Sequence, residues 1–411
     1  MSNEIETPDF KSMSTDQLLQ LEKEYAQKAA MLNSKQMALK ICLNSLYGAL
    51  GNTSFRYFNL SLASSVTTSG QQAIKWIERK LNEFLDAKTG IPKDRVVLID
   101  TDSVVLDLKD IVDKYCPKNI NRKQKLDFLN QLGEKVLHPY IEKSYDELGD
   151  YMNAYEHRFK MKRENIIDQM VSVAAKSYVM NVYNSEGVQY EMYDPDGNEV
   201  NGGIGYLKIM GLQLVKSSTP EVIQDALRES IPILLKGNEK QMQDYIKNVR
   251  NKYDEFTAEQ IAFPRGVTNI STYLKENVQK MYENEGNPVE KEKLKDKLDF
   301  PESQLYIKST PAHVRGALVY NDLLKKKGLD EVRKPIEDGD KIKFIYLRLP
   351  NPIHEKCVAF QETLPVEFNV HDYIDREMMF EKTFLAMIEK MIAPLEWKTK
   401  QESYLEDFFA F

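Results

Sequence analysis

"RVVLIDTDSVVLDL", residues Arg95 to Leu108, decides how the chain folds around its chemistry. Two apolar, β-branched runs, Val96–Ile99 and Val104–Leu106, flank the polar tetrapeptide Asp100-Thr101-Asp102-Ser103. That pattern predicts a strand, a tight turn and a returning strand. Two carboxylates at a hairpin tip suit a hard cation such as Mg²⁺. A two-metal site needs more carboxylates than one tip supplies, so the rest of such a site would lie elsewhere. Asp-Thr-Asp-Ser is also ordinary turn chemistry. What distinguishes it here is the apolar strand on either side, which would hold the acids at a rigid tip.

Upstream of the hairpin, Ser14 to Tyr47 contains neither Gly nor Pro, and Ser14 with Gln17 forms a capping-box pattern. A helix of that length spans roughly 50 Å at about 1.5 Å per residue. "GALGNTSFRY" breaks it, and a second helix is expected from about Ser64 to Ala87, with Ile74, Ile77, Leu81 and Leu85 on one face. Downstream, helices are expected between Lys123 and Tyr151, then a β-rich region over residues 165–212 with a turn at Asp194–Glu199. After Lys216–Pro220 the texture changes to amphipathic, charged helical segments as far as Glu285. A loop-rich stretch to Pro311 and a strand at Lys341–Leu349 follow. A domain division is expected near residue 213.

With 411 residues, 42% hydrophobic and 29% charged, the chain is long enough for two or three packed domains. A formal charge of −7 argues mildly against nucleic-acid binding but does not exclude it, because local basic stripes outweigh the sum. Cys42, Cys116 and Cys357 are scattered, with no zinc spacing, which fits a reducing cytoplasmic setting. The N-terminus has no signal-peptide pattern, no apolar run is long enough for a membrane span, and five dispersed histidines form no metal motif.

In "KICLNSLYGALGN", Lys40, Asn44 and Tyr47 fall at i, i+4 and i+7 on one helical face, and Gly48 removes a side chain beside the ring. Such a face can hold a triphosphate by its cation and test a base pair with its ring. The alternative is a helix C-terminus with Gly as its cap and Tyr as a core residue. In "AKSYVMNV", Lys176 and Tyr178 at i and i+2 are expected on one side of a strand, either as a phosphate contact or as an ordinary half-exposed strand. "KSSTP" offers Lys216, Ser217 and two further hydroxyls at a helix N-terminus, a phosphate site or an N-cap with Thr219 capping and Pro220 at the first helical position. "AHVRGALVY" places His313 and Arg315 near Lys325, Lys326 and Lys327, where a solvated charged face is the default.

Taken in order, these motifs resemble the family B DNA polymerases. Lys40 to Gly48 resembles that family's fingers motif B, Asp100 to Ser103 its palm motif C, and Lys176-Ser177-Tyr178 its Lys-x-Tyr motif. The likeness is nearest to the replicative polymerases of T-even-type phages, in which "NSLYGALGN", "KIMGL…KSSTP", an "H-x-R-G…Y-N" block and an aromatic C-terminus follow in this order, and it spans roughly residues 13–411. The family has Tyr-Gly before the motif C acids where this chain has Leu98-Ile99, so the tip is expected to be more apolar. The phage "KKRY" block is reduced here to Lys-Ser-Tyr.

The resemblance implies an α+β fold, a partial right hand. Residues 1–52 would complete the fingers, 53–212 form a palm with an antiparallel sheet, 213–397 a mainly helical thumb, and 398–411 a tail. It implies a DNA-directed DNA polymerase using two Mg²⁺ ions, held by Asp102 and Asp100 with Glu164 nearby. Lys40, Asn44, Tyr47 and Gly48 would bind the incoming dNTP. Lys176, Tyr178, Lys216, Ser217 and Arg315 would contact primer–template DNA. The family's motif A, "SLYP", is absent; the only Ser-Leu-Tyr is Ser45-Leu46-Tyr47 of the fingers. The chain therefore resembles a C-terminal half, either of a naturally split polymerase or as an expressed fragment; its own Met1, with no tag or linker, favours the split, with an N-terminal partner subunit carrying motif A and the exonuclease. In "QESYLEDFFAF", Leu405, Phe408 and Phe409 fall at i, i+3 and i+4, a knob resembling the peptides that hold a sliding clamp. The competing reading is a non-catalytic subunit that binds DNA and clamp.

Overall fold

A computed structural model describes residues 10–400. They fall in two compact units, residues 10–120 with 131–162, and residues 121–130 with 163–400. Helices and small antiparallel sheets make the chain α+β, as the sequence implied.

In the first unit, α1 (Thr15–Leu50) begins at the expected capping box: Gln17 N donates to Ser14 Oγ at 3.3 Å and Ser14 N donates to Gln17 Oε1 at 2.8 Å. Its 36 residues correspond to about 54 Å of helix, and none is classed as buried. Large apolar side chains recur at every seventh position, Leu18, Tyr25, Leu32, Leu39 and Leu46, and all are exposed, Leu32 at 60%. A sustained seven-residue repeat is the seam against which a second helix packs.

The following helix, α2 (Leu60–Thr89), is capped by Asn59, whose side chain accepts from Leu62 N at 3.0 Å. It ends at Gly90, whose φ of 78° is the left-handed value that favours glycine in a helix-ending position. Ile74, Ile77, Leu81 and Leu85 are buried, the four residues the periodicity selected. Two strands come next, β1 (Val96–Asp100) and β2 (Ser103–Leu106), paired antiparallel, then α3 (Lys109–Tyr115). A π-helical turn at Gly133–Leu137 leads into α5 (His138–Tyr151), which packs on α2. There Trp76 Nε1 donates to the Ser144 carbonyl at 2.8 Å, Tyr140 Oη donates to the Lys80 carbonyl at 3.0 Å, and Lys80 pairs with Glu147 at 2.8 Å.

Residues 122–130 of α4 (Arg122–Leu132) open the second unit. Its first sheet places β4 (Ser177–Ser185) between β3 (Asn165–Ala174) and β6 (Tyr206–Met210), with the short β5 (Val188–Gln189) on the end of β4. Because β4 is covered on both faces, Val179, Asn181 and Val182 have no exposed surface. Helices α6 (Glu221–Lys236), α7 (Glu239–Tyr253) and α8 (Ala258–Ile261) follow. A second sheet, in the order β7 (Phe263–Gly266), β8 (Lys341–Tyr346), β9 (Cys357–Phe360), backs onto α11 (Ala312–Lys327). Gly316 of α11 faces Val358 and Ala359 so closely that a Cβ there would lie 2.9 Å from Ala359 N. Lastly come α12 (Arg376–Phe380) and α13 (Ala386–Ile392). One apolar core runs from Val171 and Val179 of the first sheet through Ile223 and Leu227 to Phe360, Phe384 and Ile388.

The segment expected to be loop-rich before Pro311 holds a helix, α10 (Pro288–Leu298), packed on α9 (Lys275–Asn284) through Val278, Leu294 and Ile307. Its sequence, PVEKEKLKDKL, has a single buried residue, Leu294, so it shows almost no periodicity to read.

Candidate active site

At the hairpin tip Asp100 pairs with Ser103, leaving Thr101 and Asp102 as the turn. Asp102 N donates to the Asp100 carbonyl at 2.7 Å, and Ser103 Oγ to the same oxygen at 3.2 Å. Thr101 has a φ of 59°, a left-handed value costly for a β-branched residue. Asp102 is exposed and Asp100 half-buried. Behind the tip, Val97 and Ile99 share one face of β1 and are 58% and 37% exposed, so the hairpin has an open apolar side.

The root of the hairpin is held by a residue that sequence reading passed over. Arg95 has no exposed surface. Its guanidinium pairs with Asp86, with Asp110 at 3.2 Å, and donates to Thr89 Oγ1 at 2.9 Å and the Ile91 carbonyl at 3.0 Å. Its main chain accepts from Asp107 N at 2.8 Å and donates to Asn82 Oδ1 at 2.9 Å. Lys93 adds an ion pair with Asp107 at 2.8 Å, and that pairing, helped by the Lys109 amide, holds the Asp107 carboxyl below its ordinary range. One cation thus ties β1 to α2 and α3. The only sign in the sequence was an Arg abutting an apolar strand amid acids at 86, 94, 107 and 110.

Lys40, Asn44, Tyr47 and Gly48 lie together on exposed α1. The helix continues through Gly48 to Leu50 and is capped by Gly51, so Gly48 is not its terminator, and Tyr47, 40% exposed, is not a core residue. A Cβ on Gly48 would meet nothing within 4 Å. Glycine costs about 1 kcal/mol relative to alanine inside a helix, and no packing within the described chain accounts for it.

The second unit changes three expectations. Lys176 is not on a strand: it occupies the β3–β4 turn with a φ of 60°, while Tyr178 lies in β4 and is buried. Strand alternation therefore does not set their relation. Thr219 is not the cap of α6: Pro220 is, and Thr219 Oγ1 donates instead to the Gln213 carbonyl at 3.0 Å. Lys216 and Ser217 are exposed beside it. Arg315 and His313 do not neighbour Lys325, Lys326 and Lys327. They lie at the opposite end of α11, about 15 Å away for Arg315 by helical rise. The Arg315 guanidinium stacks 4.9 Å from the Tyr306 ring centre, and Tyr306 Oη donates to Glu355 Oε2 at 2.7 Å. Glu164 pairs with Lys208 at 2.6 Å. Leu405, Phe408 and Phe409 lie outside the described residues.

The donor set at the tip, two carboxylates with at least one open to solvent, suits a hard divalent ion but does not complete a site. Among the described residues no group of three His, Cys, Asp or Glu side chains is placed to hold a metal. Asp102 and Asp100 fit as part of a ligand set. Among the described residues no helix is long and apolar enough to cross a membrane.

A family model described as DNA polymerase family B matches residues 14–117, which include α1, α2 and the hairpin. Over 401 residues the chain is 33% identical to the DNA-directed DNA polymerase of Enterobacteria phage T4, covering 94% of this chain and 40% of that one. It is 31% identical over 390 residues to the DNA-directed DNA polymerase of Escherichia phage RB69, covering 92% and 38%. A DNA polymerase delta catalytic subunit of Candida albicans is 33% identical over 126 residues, 28% of this chain and 12% of that one. The family match is confined to residues 14–117, whereas the likeness to the two phage enzymes runs along nearly the whole chain, which spans less than half of their length.

Proposed function

We propose that the chain is the part of a DNA-directed DNA polymerase that supplies motif C, the nucleotide-facing part of the fingers, most of the palm, and the thumb. In this reading residues 1–52 belong to the fingers, 53–212 to the palm, 213–397 to the thumb and 398–411 to a clamp-binding tail. The whole enzyme transfers a nucleotidyl group from a dNTP to a primer 3′-hydroxyl on a template. Motif A, absent from these 411 residues, comes from polymerase sequence outside them, on a partner subunit in a split enzyme. The observation that carries the reading is α1. A helix with an uncovered heptad ridge adjoins an exposed Lys-Asn-Tyr-Gly face, so it is built to pack on one side and to meet a ligand on the other.

Asp102 and Asp100 would hold the metal ions. When bound, two Mg²⁺ ions activate the primer 3′-hydroxyl and stabilise the leaving pyrophosphate. Lys40 neutralises the triphosphate as charge develops, and Asn44 orients the nucleotide. Tyr47 presents a flat surface to the nascent base pair, and the space beside Gly48 admits it. Glu164, paired with Lys208, is the further carboxylate that the family resemblance assigns to metal binding. Lys176, Lys216, Ser217 and Arg315 would form the DNA contact, with Tyr178, buried in β4, behind them, and Leu405, Phe408 and Phe409 reserved for a ring-shaped clamp.

The test is primer extension with Mg²⁺ by the purified chain, alone and mixed with a polypeptide that carries motif A. Extension is expected only in the mixture. Robust extension by the chain alone would overturn the proposal.

A further inference from the structure

Gly211 directly follows β6, whose last residue, Met210, pairs with Tyr178 of β4. Its φ of 67° lies in the left-handed region that glycine adopts without steric cost. The space beside it is as restrictive as its backbone. A Cβ built there would overlap the Lys176 carbonyl oxygen and lie 2.6 Å from Ser177 Oγ. The carbonyl is main chain, so no rotamer of Lys176 relieves the overlap, and the turn itself must move. Gly211 is exposed, so the missing side chain answers to the turn and not to the core.

The turn can yield to such a push. Lys176 holds a φ of 60°, an uncommon value for a residue with a side chain, and is exposed. The turn also borders a cavity of about 360 Å³, whose wall includes Ala174, Ser177, Leu212 and Met387. Beyond Gly211, by contrast, the chain is pinned. The Gln213 carbonyl accepts from Lys216 N at 2.9 Å and from Thr219 Oγ1 at 3.0 Å. The Lys216 carbonyl accepts from Thr219 N at 3.1 Å and from Gln224 Nε2 at 3.2 Å, and Arg265 Nη1 donates to the Ser218 carbonyl at 2.9 Å. Gly211 is therefore the point at which the fixed loop that presents Lys216 meets the Lys176 turn.

We propose that Gly211 is a positioning residue: its missing side chain lets the Lys176 turn close onto the end of β6, which fixes where Lys176 stands relative to Lys216. Gly211 touches no DNA and acts through Lys176. The inference rests on the reading of Lys176 as a DNA contact, and the seating of the turn is read separately from that contact.

The experiment compares the full chain with Gly211→Ala, Gly211→Asn, Lys176→Gly and the Gly211→Ala, Lys176→Gly double variant. Each is followed by melting curves, amide hydrogen exchange and primer–template anisotropy over a salt series. Asparagine tolerates left-handed φ better than alanine but carries the same Cβ, so it separates backbone strain from the overlap. Lys176→Gly keeps the turn's φ accessible and removes the cation. Both Gly211 variants are expected to fold and to exchange faster over residues 174–178, with α6 unchanged. Their primer–template binding should weaken about tenfold, the loss of one charge-assisted contact, with a salt slope shallower by roughly one. Lys176→Gly should lose as much, and the double variant no more than either single one, because the turn then has no contact left to misplace. Unchanged exchange over residues 174–178 in Gly211→Asn, or losses that add in the double variant, would overturn the proposal. Failure of both Gly211 variants to fold would overturn it too, by assigning the glycine to the core. Unchanged DNA binding by Lys176→Gly, together with faster exchange in the Gly211 variants, would sink the DNA-contact reading of Lys176 and leave the seating of the turn standing.

Discussion

Nη2 of Arg95 lies 3.2 Å from Oδ2 of Asp110, and the same guanidinium pairs with Asp86 on the other side, so one fully buried cation fixes the root of the two-acid hairpin to both flanking helices. Removing one member of a buried pair leaves charge without compensation. Arg95→Met is expected to destabilise the first unit by about 3 kcal/mol, lowering its melting temperature by about 6–12 °C. Arg95→Lys should recover little, because a point charge cannot serve Asp86, Asp110 and Thr89 together. Calorimetry of the variants checks this, and a transition unchanged within about 1 °C would remove Arg95 from its positioning role.

Asp102 separates chemistry from stability. It is exposed at the turn, where its backbone amide donates to the Asp100 carbonyl at 2.7 Å. Asp102→Asn should melt with the unaltered chain yet reduce Mg²⁺-dependent extension by the completed enzyme on the order of 10³-fold, the loss that several kcal/mol of transition-state stabilisation implies. Retained extension would show that the tip does not carry the metals.

The heptad ridge of α1 gives an assembly prediction. Leu32 and Leu39 are exposed, so Leu32→Glu with Leu39→Glu should leave the melting of the isolated chain unchanged. The same pair of charges in a helix–helix seam should prevent association with the motif A polypeptide. Co-elution of the double variant with that polypeptide, at the affinity of the unaltered chain, would contradict the seam.

What could be read in advance follows from where the physics is local. The Ser14 capping box, the Ile74–Leu85 stripe and the Asp100–Ser103 hairpin are fixed by a few neighbouring residues, and each formed as the sequence indicated. Tyr178 lies on a strand as expected, but Lys176 does not, because a two-residue turn interrupts the strand pattern and nothing in Ala174-Ala175-Lys176-Ser177 is a strong turn signal. Arg315 was grouped with the lysines by sequence proximity, yet α11 carries it to the far end and Tyr306 takes it. Arg95 escaped notice because its partners come from helices on both sides of its strand, a relation only tertiary structure creates.

Glu355 makes stability depend on pH. Burial raises its carboxyl above the ordinary 4.5, while Tyr306 and Arg315 oppose the rise. A folded-state pKa above the unfolded value gives a contribution fully present below pH 4.5 and lost as pH rises through the higher folded value. Glu355→Gln keeps an acceptor for Tyr306 but cannot ionise. The melting temperature of the variant relative to the unaltered chain should therefore climb as pH increases from 4.5. A difference that stays flat from pH 4 to 7, or falls, would exclude Glu355 as the titrating group.

DNA contact is tested through Lys216, exposed before α6 and, among the described residues, outside every ion pair. Phosphate contacts release counterions, so log affinity falls linearly with log salt, with a slope of about −0.9 per phosphate neutralised on duplex DNA. Lys216→Ala should weaken primer–template binding at low salt uniformly across sequences and reduce that slope by roughly one. Arg315 offers the contrast. Held over the Tyr306 ring, it is partly withdrawn from solvent, and Arg315→Ala should lower the melting temperature as well as affinity, whereas Lys216→Ala should lower affinity alone. Measuring both variants by fluorescence anisotropy over a salt series, with melting curves alongside, separates the two roles. A Lys216→Ala slope equal to that of the unaltered chain would take this loop out of the DNA footprint.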